Sequence, residues 1–281
     1  MRWQGREKST NVEDRRGGTV KKVGGIGIGA IILAIIAFFL GENPLNVLQQ
    51  FSNESTEYTT QTNGQNTDEL TEFISVTLKD TEDVWTKLFK EQLNKQYIPP
   101  TLVLYSGSTE SACGYAQSAT GPFYCPGDQK VYIDLSFYQE LKDRFKAPGD
   151  FAMAYILAHE VGHHVQYLLG ITSQVEQQRR NMTEAQGNKL SVALELQADF
   201  LAGVWANHAQ KMKNILEDGD VQEALTAASA VGDDRIQMQA RGYVVPDAFT
   251  HGTSAQRMEW FKKGFQTGDL SQGDTFSEIT F

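Results

Sequence analysis

His159, Glu160 and His163 stand in the order His-Glu-x-x-His within the run Ala158-His159-Glu160-Val161-Gly162-His163-His164. Two imidazoles four residues apart on a helix project from one face and can grip a single metal ion between them. Glu160 then sits beside the ion rather than on it, where a base is needed to take a proton from a metal-activated water. The residues around the motif are apolar at helical spacing: Met153, Ala154, Ile156, Leu157, Val161, Val165 and Leu168. Such a segment predicts a mostly buried helix, and an apolar interior penalises unpaired polar groups. Histidines placed there need partners, and Zn2+ is the partner that this residue set suits.

Two histidines do not complete a catalytic zinc site, which ordinarily takes three protein ligands and a water. A third histidine ten residues after His159 is excluded, because position 169 is Leu. A carboxylate from a later helix is the other route. Glu195 and Asp199 are four residues apart within the apolar surroundings Val192, Ala193, Leu194, Ala198, Phe200 and Leu201. The economical assignment puts Glu195 on the metal and Asp199 behind it, bonded to the far nitrogen of a ligating histidine. The reverse assignment, with Asp199 on the metal, is the alternative.

These residues need elements to hold them. Helical patterning covers 70–89, as one or two helices, then 136–145, the metal helix over 151–170, and most of 174–216 with Gly187 as a soft spot. It continues over 221–239 and 254–265. A short strand fits 101–105, and strands at 123–125 and 131–134 flank Pro126-Gly127-Asp128 as a hairpin. A small sheet followed mainly by helices is an α+β layout. Cys113 and Cys125, the two cysteines of the chain, read as one disulfide between a loop and that hairpin, with zinc ligation the competitor.

The 281 residues carry a formal net charge of −10, unevenly spread. Residues 1–22 hold seven Lys and Arg against three Asp and Glu, so the remainder is strongly acidic. An acidic body argues against nucleic acid as a partner. Residues 23–40 form an 18-residue run without a polar side chain, just long enough to span a bilayer. The expectation is four segments: a basic cytoplasmic tail at 1–22, a single transmembrane helix at 23–40, a polar linker at 41–67 and a catalytic domain at 68–281. By the positive-inside rule the last lies outside the cytoplasmic membrane, periplasmic or extracytoplasmic. Gly25 and Gly29 add a weak dimerisation hint through the anchor.

The pairing of the His159–His163 motif with Glu195-Leu196-Gln197-Ala198-Asp199 resembles the gluzincin pattern. Together with Met1-Arg2-Trp3-Gln4-Gly5-Arg6, the apolar run, and Cys125-Pro126-Gly127-Asp128-Gln129-Lys130-Val131-Tyr132-Ile133-Asp134-Leu135, the chain resembles a bacterial family of neutral zinc metallopeptidases over essentially its whole length. That resemblance implies a zincin-like fold, a Zn2+ cofactor and a peptide or protein substrate. It implies His251 as the group that steadies the oxyanion, and Arg257 as the partner of an active-site carboxylate. It also implies a substrate lying along a sheet edge, for which the strand at 131–134 is the candidate. The reading is a membrane-anchored zinc metallopeptidase with Glu160 as general base. The alternatives are a catalytically silent zinc-binding envelope scaffold, against which the intact Glu160 argues, and a zinc amidase acting on cell-wall peptide.

Overall fold

The computed structural model describes residues 1–16 and 64–277. Strand β1 (Val12–Asp14) is followed by α1 (Gly64–Glu91), then β2 (Thr101–Tyr105), β3 (Ser108–Ser111), β4 (Gly114–Gln117), β5 (Phe123–Cys125) and β6 (Lys130–Asp134). The helices α2 (Phe137–Asp143), α3 (Asp150–Leu168), α4 (Ile171–Arg179), α5 (Glu184–Lys213), α6 (Asp220–Ala230), α7 (Asp233–Arg241) and α8 (Ser254–Thr267) complete the order. The architecture is mainly helical with a small mixed sheet, the expected α+β layout.

The sheet runs β1-β2-β6-β5, with β1 and β6 parallel to β2 and β5 antiparallel to β6. Leu102, Val103 and Leu104 in β2 are fully buried, as a continuous apolar run in a covered parallel sheet must be. β3 and β4 form a separate antiparallel hairpin. Helix α3 is apolar nearly all round and is buried along most of its length, which is where such a helix has to go.

Three close approaches set how the helices lie. A Cβ at Gly203 of α5 would meet the Phe261 carbonyl oxygen of α8 at 2.1 Å, and one at Gly264 would meet the Phe200 carbonyl oxygen at 2.0 Å. Only glycine lets these two backbones touch. Gly162, inside the metal motif, brings α3 against α5: a Cβ there would stand 3.0 Å from the Ala198 carbonyl oxygen. The glycine of the motif therefore admits the helix that carries Glu195 and Asp199.

Several boundaries differ from the sequence-based expectation. The expected helix over 221–239 is two, broken before Asp233, where Gly232 packs so tightly that a Cβ would meet the Ser254 nitrogen at 2.4 Å. Gly187 does not interrupt α5; the chain breaks earlier, and Thr183 caps α5 by accepting from the Gln186 amide at 3.3 Å. The last residues of the expected 41–67 linker already form the first turn of α1. The rest of that linker and the apolar run at 23–40, with Gly25 and Gly29, lie outside the described residues. Among the described residues no helix is long and apolar enough to cross a membrane.

The first sixteen residues of the expected tail at 1–22 are folded into the domain, and residues 17–22 lie outside the described ones. Met1–Arg16 belongs to the same compact unit as Thr67–Phe281. Met1 and Trp3 are core residues, and Trp3 packs edge-on against Phe73 of α1 at 5.7 Å. The α-ammonium of Met1 lies 3.0 Å from both Asp150 and Glu217 and 3.2 Å from Asp220. Further along, Ser9 bonds Glu82 at 2.6 Å, and Arg6 pairs with buried Asp80. β1 then adds a strand to β2. Of the described positive charges, Arg2, Arg6 and Lys8 pair with Glu217, Asp80 and Glu72, and Arg15 and Arg16 with Glu13 and Asp14 of their own segment.

Candidate metal centre

α3 and α5 together build the centre. His159 and His163 project from α3 with ring centroids 4.8 Å apart, and Glu195 of α5 reaches between them. Its Oε2 is 3.2 Å from His159 Nε2 and its Oε1 is 3.3 Å from His163 Nε2. Two donors each ~2.05 Å from one tetrahedral zinc stand roughly 3.3 Å apart. One donor atom from each of the three residues lies within 4.8 Å of the others, so the set fits a zinc ion in both spacing and chemistry. Its charge fits as well. Two carboxylates, Glu195 and buried Glu160, line the same cavity wall as the two imidazoles, a donor set whose charge suits a dication.

Electrostatics favour positive charge between these groups. Burial works against a His159 imidazolium, but Asp199 and Glu195 outweigh it and raise its pKa to about 10. His163 is raised in the same way, burial being outweighed by Glu195. Burial would raise Glu195, yet the two histidines hold it well below the ordinary carboxylate range. Glu160 is raised, chiefly by burial, the direction that suits a base which must take up a proton and release it.

Asp199 approaches from behind. Its Oδ1 accepts from His159 Nδ1 at 2.8 Å, the nitrogen opposite the one facing Glu195. The same carboxylate accepts from the Tyr155 hydroxyl at 2.5 Å and from Arg257 Nε and Nη2 at 2.7 and 3.0 Å. With every one of these donors on it, Asp199 is turned away from the space between His159, His163 and Glu195. Arg257 therefore meets Asp199 rather than Glu160 or Glu195, and it also donates to the Val231 carbonyl at 3.2 Å. Arg257 and Asp199 are both buried and their charges cancel.

His251 comes from the loop before α8. Asp233 of α7 holds that loop by accepting from the backbone nitrogens of Thr250, His251 and Gly252 at 2.7, 2.6 and 3.1 Å. Its other oxygen lies 3.2 Å from His251 Nδ1, and this contact, ahead of the opposing effect of burial, raises the His251 pKa. A cavity of about 510 Å³ opens over the centre, and His251, Glu160, His159, His163, Glu195 and Arg257 all line it. The structure thus brings every expected catalytic and metal residue to one place.

The cavity wall corrects the expected substrate edge. β6, which holds 131–134, is paired along its length to β2 and over Lys130, Val131 and Tyr132 to β5, so half of the expected strand has no open side. β5 ends the sheet, and its Phe123 and Tyr124 line the cavity. Cys113 and Cys125 are joined as a disulfide, which ties the β3–β4 turn to β5.

Three residues at the centre escaped the sequence reading: Tyr155, Gln166 and Asp233. Tyr155 lies one turn before His159 and Gln166 three residues after His163, so helical spacing puts both beside the motif. Nothing local marks Asp233. His164 bonds the Tyr124 hydroxyl at 2.9 Å and the Ile98 carbonyl at 2.7 Å, and serves packing behind β5. His208 bonds the Gly268 carbonyl at the end of α8.

Residues 1–276 match the sequence family described as "Putative neutral zinc metallopeptidase". The chain is 50% identical to "Uncharacterized protein YpfJ" of Escherichia coli (strain K12), over 99% of each chain. It is 47% identical to "Uncharacterized protein Mb2605" of Mycobacterium bovis and to "Uncharacterized protein Rv2575" of Mycobacterium tuberculosis, over 64% of each chain. No solved structure matches.

Proposed function

The chain belongs to the putative neutral zinc metallopeptidase family, whose cofactor is Zn2+, and on that premise we propose that it hydrolyses peptide bonds in a peptide or protein substrate. His159, His163 and Glu195 hold the zinc. The observation that carries the reading is their convergence, at 3.2 and 3.3 Å, on one wall of a cavity that Glu160 also lines. Bound there, zinc supplies a Lewis acid and lowers the pKa of a water molecule toward neutrality.

The side chains do the rest. Glu160 accepts the proton that the attacking water gives up and returns it to the departing amine. His251 faces the same cavity, held by Asp233, and donates to the carbonyl oxygen as negative charge develops on it. Asp199, itself held by Tyr155 and Arg257, keeps the His159 proton on Nδ1 and leaves Nε2 to the metal. An extended substrate pairs with the free edge of β5.

Exchange of Glu160 for Gln tests the assignment. Peptide hydrolysis should fall by about 10²–10⁴-fold while zinc content stays that of wild type. A variant as active as wild type removes Glu160 from the mechanism, and a wild type unaffected by a chelator removes zinc from it.

We propose further that the domain works outside the cytoplasm and meets the membrane through residues 23–40. The Cys113–Cys125 disulfide supports the compartment, since such bonds persist in oxidising surroundings.

A further inference from the structure

Gln166 is buried in α3, three residues after His163, and every polar atom of its amide is engaged. Its Oε1 lies 2.9 Å from His163 Nδ1. Its Nε2 lies 2.7 Å from the Leu194 carbonyl oxygen and 3.1 Å from Gln197 Oε1. Gln197 in turn donates from its Nε2 to the Gly273 carbonyl at 2.9 Å. We propose that Gln166 is a positioning residue of the metal centre, setting the proton position on His163 and tying that histidine to the backbone beside Glu195. This rests on the proposed zinc assignment of His159, His163 and Glu195.

The direction of the chain follows from its ends. Backbone carbonyls only accept hydrogen bonds. The Leu194 carbonyl therefore requires the amide nitrogen of Gln166, and the Gly273 carbonyl requires that of Gln197. Turning the Gln166 amide over would set its oxygen against two other oxygens. With Oε1 thus committed to His163, Nδ1 of that ring must carry the proton and donate it. When the ring is neutral, as a metal ligand must be, the lone pair is left on Nε2, the nitrogen that faces Glu195 Oε1 at 3.3 Å. Two carbonyls outside the centre thereby decide which nitrogen His163 offers to a metal.

Gln166 also reaches the third ligand. Leu194 immediately precedes Glu195, so one amide spans from a ligating ring on α3 to the backbone of the ligating carboxylate on α5. The two histidines are supported by different chemistry. His159 leans on Asp199, an anion whose charge Arg257 cancels. His163 leans on a neutral acceptor, which adds no further charge to a buried site already holding Glu160 and Glu195.

The test uses the whole protein with Gln166→Met, which keeps the volume and removes both the donor and the acceptor. Zinc affinity is measured by competition with a chelator, beside the unfolding midpoint of the zinc-free protein. Zinc binding 10–100-fold weaker than wild type is expected. A lowered midpoint with unchanged zinc affinity would mean that Gln166 only braces the helices, and the proposal would fall. A second readout needs no variant: imidazole ¹⁵N spectra of the zinc-loaded wild type should show His163 protonated on Nδ1. A proton on Nε2 overturns the proposal. A wild type that binds no zinc overturns the zinc assignment itself, which separates the two failures.

Discussion

At the residue scale, the centre divides its labour by which atom of each ring is used. Both histidines turn Nε2 toward Glu195, while Nδ1 is held by Asp199 on one ring and Gln166 on the other. Glu195 and Asp199, alike in chemistry and one turn apart, come to opposite sides of His159. Their variants should therefore behave differently. Glu195→Ala should abolish stoichiometric zinc binding, and Asp199→Asn should retain zinc with 10–100-fold weaker affinity, both read as metal content against free-zinc concentration. The opposite pattern would exchange the two roles.

At the element scale, the site depends on helices that touch through glycine. Gly203 on α5 meets α8, which carries Arg257, and α5 also carries Glu195 and Asp199. Gly203→Ala places a methyl 2.1 Å from the Phe261 carbonyl oxygen, so the helices must part. A loss of about 1–3 kcal/mol or more is expected, measured by denaturant unfolding, and a stability equal to wild type would show that the contact relaxes freely. Strand β1 is held differently. Glu13 accepts from Arg15 at 2.8 Å and from Lys130 of β6 at 2.7 Å, and these contacts lower its pKa from 4.5 to about 2. Since the folded value is depressed, the contribution is present above pH 4.5 and is lost as the pH falls toward 2. Glu13 is substantially exposed, so the effect is small and shrinks with added salt. Unfolding followed between those pH values should show a shallower acid slope for Glu13→Gln; an unchanged slope would assign the acid response to other carboxylates.

At the scale of the whole molecule, Met1–Arg16 and Thr67–Phe281 share one core although fifty residues separate them. Two parts of one folded unit occupy one compartment, whatever residues 23–40 do. Cysteines placed at exposed Lys8 and Glu184, in the background of the native disulfide, should therefore react together with a membrane-impermeant maleimide on intact cells, or be protected together. Labelling of one without the other would restore the expected tail on the opposite side of an anchor.

The sequence alone determined the motif chemistry. His159, Glu160 and His163 take their geometry from helical spacing, a local property, and the apolar neighbours announce burial. Glu195 and Asp199 were legible as a pair because two carboxylates in an apolar helix need partners. Which of them faces the metal side, and what holds His163, depended on how α5 crosses α3 at Gly162, a tertiary contact without a local signature. The same holds for β5 as the sheet edge and for Asp233 beneath His251. The first sixteen residues show the limit most plainly. Their charges and hydropathy describe a solvated tail equally well, and only the long-range pairing of β1 with β2, with Trp3 against Phe73, made them part of the domain.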